Sequence, residues 1–442
     1  MKTDARGCAV STRSQAAVDH LERAYWRLVS FYGTPLEDLD AASAADPQWM
    51  LPHVVRAGFL LSVTEHKLLP EAHAALARAQ ALAAGANDRE RAQLAAAHRC
   101  FGGDWHGACA AWDALLNQHP RDLLALQLAH LFDFYRGDAR NLRQRVARVL
   151  PEWDKSDALY PYVLGMYAFG LEESNLYPQA EQAGREAAGG SACVPWAIHA
   201  VAHVMEMQGR HEEGRAWLNT RRSCWAEDDN GLAGHNWWHL ALFHLETLDV
   251  AGALQIYDEQ IATQAAIDVT LQRLDATALL WRLHLLGSDA GASRWAANAA
   301  AWQQDEAAAG FYAFNDLHAL LAFVGSGQVE RAEALVAEVA LKAERDEGIN
   351  KAMAREVGLP LMRGLLAFAK ARHDEAIGLL QPMRTVAHHF GGSHAQRDLI
   401  DQTLLAAAAR STHHRGLGRA LLNERRLAKA TTPLTQHWAS QL

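Results

Sequence analysis

Apolar residues recur at helical spacing along most of this chain, and few segments show the alternation a half-buried strand requires. In Trp196-Ala-Ile-His199-Ala-Val-Ala-His203-Val-Met-Glu206, Ala197, Val201 and Val204 form an apolar face. His199, His203 and Glu206, at i, i+4 and i+7, share a narrow arc of the other face. His235-Asn236-Trp-Trp238-His239, running on to Glu246, and Asn315-Asp316-Leu-His318 repeat the theme. Between such helices stand short segments, most of which begin with a small or polar residue, that carry a small residue five places on. Examples are Gly103 to Ala108, Asn175 to Ala180, Gly209 to Gly214, Leu248 to Ala253, Gly287 to Ala292, Gly327 to Ala332 and Ala371 to Ala376. Each suits a helix-turn-helix unit, where the first residue ends one helix and the second lets the next pack closely. Asp46-Pro47 and His119-Pro120 mark further helix ends, because proline biases its predecessor away from helix.

The pattern predicts an all-α, right-handed α-solenoid of roughly ten to twelve tetratricopeptide-like hairpins, strongly curved. Successive turns about forty residues apart exceed the usual ~34, which implies extended helices or loops. We expect an N-terminal segment and first helix over 1–29, a continuous solenoid over 30–410, and a C-terminal helix or tail over 411–442. That last stretch carries the basic residues Arg415, Arg419, Arg425 and Arg426.

Counting back from each turn exposes a register. His239 and His318 each lie nine residues before a turn, Asn236, Asp275 and Asn315 twelve before, and His199 and Trp196 ten and thirteen before Gly209. First helices of stacked hairpins line one surface, so these side chains are expected to converge on a groove.

Composition narrows the chemistry. A net charge of −9 over 442 residues argues against a nucleic-acid footprint, and no apolar run approaches the length of a membrane span. The five cysteines, Cys8, Cys100, Cys109, Cys193 and Cys224, form no C-x-x-C pair. They suit free packing thiols in a reducing cytoplasm. A cytoplasmic protein without nucleic-acid or membrane partners is therefore expected, possible homo-oligomers aside.

The chain resembles the tetratricopeptide repeat protein 38 family, found in animals and bacteria. The matching stretches are Gly165 to Leu171, His199 to Glu206, His235 to His239, Leu279 to Leu283 and Gly391 to Asp398. The resemblance implies a helical-repeat fold from about residue 30 to 410. It implies no reaction or cofactor.

Several readings of the polar groups stand side by side. Buried histidines in a solenoid serve as interhelical hydrogen-bond partners. Two histidines one turn apart with Glu206 are also a ligand set for a metal-dependent enzyme, although the Glu of H-E-x-x-H is absent. The reading preferred on sequence is a pocket with no metal and no cofactor. It holds a small polar or aromatic ligand against Trp196, His199, Glu206, His235, Asn236, Trp238, Asn315 and Arg397. His203, His239, His318 and Asp275 are its candidates for acid–base catalysis. A scaffold binding a peptide in the groove is the alternative from another class. Gly391-Gly392-Ser393, ahead of Gln396 and Arg397, reads either as an anion-receiving helix start or as a helix stop with a serine cap.

Overall fold

The computed structural model describes residues 2–227, 229–263, 268–304, 306–345 and 348–442. Among these residues it is all-α apart from one hairpin of two-residue strands, Lys2–Thr3 with Ala9–Val10, which the helical pattern did not predict. That hairpin is local chemistry. Asp4 Oδ1 accepts the N–H groups of Arg6 and Cys8, and Gly7 takes a φ of 81°.

Two compact units make up the chain. The first is Met1–Val201 with Glu227–Leu232, and the second is Ala202–Ala226 with Ala233–Leu442. In the first, helical hairpins include Leu51–Ser62 with Leu69–Leu82, Asp88–Phe101 with Trp105–Gln118, Leu123–Tyr135 with Ala139–Val149, and Tyr160–Glu172 with Tyr177–Ala187. Asn87, Asp104, Asp122 and Asp138 cap helix starts, each accepting a backbone N–H with its side chain. In the second unit the hairpins include Ala233–Glu246 with Val250–Ile256, Thr270–Leu285 with Ala292–Gln303, Ala313–Gly325 with Val329–Arg345, Leu359–Ala369 with His373–Leu380, and His394–Arg410 with Arg415–Ala428. A last helix, Pro433–Gln441, follows. The helix Pro195–Met207 carries the division between the units.

All seven turns read from the sequence fall between helices. The first residue of each holds a left-handed backbone, with φ from 56° at Ala371 to 80° at Gly103 and Gly327. Asn175, Leu248 and Ala371 do so without being glycine, at a cost of roughly 1 kcal/mol each. The small residue five places on is buried in every turn except the last-but-two, where Ala292 is exposed. At Gly214 a Cβ would sit 2.2 Å from the Phe243 ring, so close helix packing there excludes any side chain. The helices before Asp46 and His119 end at Ala45 and Gln118.

Ser393 resolves its own ambiguity. Its hydroxyl accepts the Gln396 N–H at 3.2 Å while Gln396 Oε1 accepts the Ser393 N–H at 2.9 Å. This capping box consumes the helix start that an anion would have used.

The cysteine reading needs correction. Cys8, Cys100 and Cys109 are free and buried, whereas Cys193 and Cys224 are disulfide-bonded. The thiols therefore give no argument for a reducing compartment. Among the described residues no helix is long and apolar enough to cross a membrane.

Candidate functional site

The helix Ala233–Glu246 is buried on all sides, so its polar residues have no solvent and must be satisfied within the fold. His235 and His239 stand one turn apart on it. His203 comes to them from the second-unit end of Pro195–Met207. One ring nitrogen from each of His203, His235 and His239 lies within 4.8 Å of the others. The rings meet edge to face, with centroids 4.3 Å apart for His203 and His239 and 4.8 Å for His235 and His239.

Two of these imidazoles are oriented by buried carboxylates. His239 Nδ1–H donates to Glu206 Oε2 at 3.0 Å, and His235 Nδ1–H to Asp275 Oδ2 at 2.8 Å. This fixes the tautomer and makes Nε2 the nitrogen each ring would offer to a metal. Asp275 is steadied in turn by Gln396, the capping-box residue. Burial, with the charges of His235 and Arg282, holds His239 well below its ordinary pKa, so it is a neutral imidazole, the form a metal binds. Burial likewise lifts Asp275, and lifts Glu206 to about 7 against the pull of Lys429 and Arg282.

A metal fits this donor set. Tetrahedral zinc, with Zn–N of about 2.0–2.1 Å, sets its donors about 3.3–3.4 Å apart. The imidazoles need only draw in from their 4.8 Å limit to reach that geometry. Neutral nitrogen donors with carboxylates behind them are the chemistry of a zinc-class dication rather than of calcium or magnesium.

Around the histidines lies a layer of buried charge. Glu246, two turns beyond His239, bonds Lys429 Nζ at 2.7 Å and Thr432 Oγ1 at 2.5 Å, and Arg425 reaches it at 3.5 Å. Arg425 also donates to Asp398 at 2.6 Å. These cations hold Glu246 and Asp398 below the usual carboxylate range despite burial. Arg282 is different. It is 2 % exposed and its bonds are to the carbonyls of Ala278, at 3.0 Å, and Ala395, at 2.7 Å. Burial lowers its pKa, although Asp398 and Glu206 act in the opposite direction. Its guanidinium carbon lies 5.3 Å from the Trp238 ring centroid, and that ring stacks on His235.

The other residues singled out by sequence are placed as follows. Asn236 is fully buried beside His239 on its helix, and neither amide atom has a hydrogen-bond partner among the described residues. His318 is buried against Phe314, its Nδ1–H donating to the Phe314 carbonyl at 2.8 Å, and burial lowers its pKa to about 4. Asn315 is half-buried in the first turn of Ala313–Gly325. Arg397 is half-buried and bonds the Gly392 carbonyl. Trp196 and His199 belong to the first unit, where they pack with Phe169 and with each other, ring centroids 4.8–5.3 Å apart. Sequence reasoning passed over Arg282, Glu246, Asp398, Arg425 and Lys429. Two had a signal: Glu246 is seven residues after His239 and Arg282 seven after Asp275, hence on the same helical faces.

No protein-family model matches the chain. Among solved structures it is similar to a tetratricopeptide repeat protein from Parabacteroides merdae, at 13% identity over 63% of this chain and 97% of that one, with a TM-score of 0.34. It is also similar to human IFIT1, solved as a dimer with m7Gppp-AAAA, at 12% identity over 88% of this chain and 89% of that one, with a TM-score of 0.45. Neither likeness bears on the ligand or chemistry of this chain.

Proposed function

We propose that this helical-repeat protein binds a zinc-class dication through His203, His235 and His239 and uses it on a small polar molecule, as a metal-dependent enzyme. The observation that carries the reading is the approach of three buried imidazole nitrogens to within 4.8 Å, two of them braced by buried carboxylates. When bound, the metal supplies Lewis-acid activation of a coordinated water or carbonyl oxygen. The residues of the chain keep His239 neutral, orient His235 and His239 and exclude bulk water. The lowered pKa values of His239 and His318 favour this over histidine acid–base chemistry, because a neutral, weakly basic imidazole is a poor proton acceptor near pH 7.

The family resemblance adds no reaction or cofactor to this reading. The stretches that carry it hold His203 and Glu206, His235 and His239, Arg282, and Asp398. Membership of the tetratricopeptide repeat protein 38 family is part of the proposal. Titrating chelator-treated protein with Co2+ tests the metal: we expect saturation at about one ion per chain, and none of that binding in His235→Ala/His239→Ala. Binding with the same stoichiometry in the double variant would remove the histidines from the account.

A further inference from the structure

Arg282 and Trp238 share a feature that the metal does not explain. Each is almost wholly buried. The guanidinium spends its hydrogen bonds on the neutral carbonyls of Ala278 and Ala395, and among the described residues no carboxylate lies within ion-pair distance of it. Asp398, Glu206 and Asp275 act on this charge only from beyond contact, and proteins ordinarily give a buried charge a direct partner. Beside it, Trp238 Nε1–H is buried with no acceptor among the described residues, another unmet hydrogen bond. The two groups are adjacent, the guanidinium carbon lying 5.3 Å from the indole centroid. One guanidinium bonded only to neutral carbonyls and one N–H without an acceptor point to the same complement, an oxyanion.

We infer that Arg282 and the Trp238 N–H form a binding subsite for the carboxylate of a small organic acid, next to the histidine cluster. The planar guanidinium suits a carboxylate's two oxygens, and the indole N–H adds a directional contact that an ammonium could not. A monocarboxylate is favoured over phosphate because the site is dry, and stripping water from a dianion costs more than from a monoanion. The capping box at Ser393 occupies the other anion-receiving feature nearby, so the anion belongs with the guanidinium. Trp238 stacks on His235, 5.3 Å between centroids, so a carboxylate held here would present the rest of its molecule towards the imidazoles. That placement makes small carboxylates the substrate class of the proposed metal site and rests on that proposal. Anion binding itself does not.

The test uses the full chain, freed of metal by chelator, titrated with sodium acetate at constant ionic strength against sodium chloride. Tryptophan fluorescence and the unfolding midpoint are read together. We expect a saturable acetate effect that chloride does not reproduce. It should be lost in Arg282→Met and weakened about tenfold in Arg282→Lys, which keeps the charge but not the fork. Trp238→Phe keeps a ring and deletes the N–H, and should weaken binding several-fold. If Arg282→Met fails to fold, the lysine and phenylalanine variants still decide. Equal effects of acetate and chloride, saturation by phosphate at lower concentration than acetate, or unchanged acetate affinity in both of those variants would each overturn the inference. Cobalt uptake by the same preparations reports on the histidines separately, so loss of one site is distinguishable from loss of the other.

Discussion

Zinc added to the metal-free protein is expected to raise its resistance to unfolding, and the effect should disappear in His235→Ala/His239→Ala. A ligand that binds the folded chain alone stabilises it by about 4 kcal/mol when present at a thousand times its dissociation constant. An unfolded chain cannot reproduce the cluster, because His203 on one helix and His235 and His239 on another are brought together by packing. The alanine variants lose stability of their own, since Glu206 and Asp275 would be left buried without their imidazole donors. The comparison is therefore the increment that zinc produces in each protein, measured by denaturant unfolding, in which that baseline loss cancels. An increment in the double variant as large as in the parent would count against the cluster as the binding site.

The second large effect is one of pH. Asp316 is buried, accepts the Gly310 N–H at 2.9 Å through Oδ1, and has no hydrogen-bond partner for Oδ2 among the described residues. Burial lifts its pKa to about 7, against the pull of the Gly310 N–H and Lys342 and with a push from Glu338. A carboxyl whose folded pKa stands above its unfolded value of about 3.9 holds its proton more tightly in the folded chain. Its contribution to stability is complete below the unfolded value and is lost as pH rises through about 7. Asp316→Asn keeps the shape and the oxygen that meets Gly310 while abolishing the charge. The variant should be about 2–4 kcal/mol more stable than the parent at pH 8, the difference shrinking towards zero near pH 4. Urea unfolding of both proteins at several pH values measures this. A difference that stays constant between pH 5 and pH 8.5 would show that the Asp316 carboxyl is not held protonated by burial.

Much of the architecture was legible because helical hairpins are local. The residue that ends a helix with a positive φ and the small residue five places later lie in one turn, so sequence order is enough to find them. Leu248 and Ala371 were recognisable by that spacing even though neither has glycine's freedom. The histidine faces were legible for the same reason, as i and i+4 pairs are decided within one helix. What joins different helices was not. Nothing near Lys429 in the sequence announces that it bonds Glu246, 183 residues away. The disulfide-bonded state of Cys193 and Cys224 was equally hidden, because isolated cysteines carry no spacing signal. The N-terminal hairpin escaped because two-residue strands are too short to show an alternation.

The Glu206 and Asp275 carboxylates shape the site without belonging to the proposed metal shell. Sequence spacing offered Glu206 as a ligand completing a two-histidine set. In the structure its Oε2 receives the Nδ1–H of His239, the position of a group that orients a ligand.

X-ray absorption at the zinc edge of the zinc-loaded full chain reads directly which atoms surround the metal. Nitrogen neighbours at about 2.0–2.1 Å, with the outer-shell scattering of several imidazole rings, are expected, and that signature should be lost in the His235→Ala/His239→Ala protein. A first shell of sulfur, or of oxygen alone without imidazole scattering, would contradict binding by the histidines.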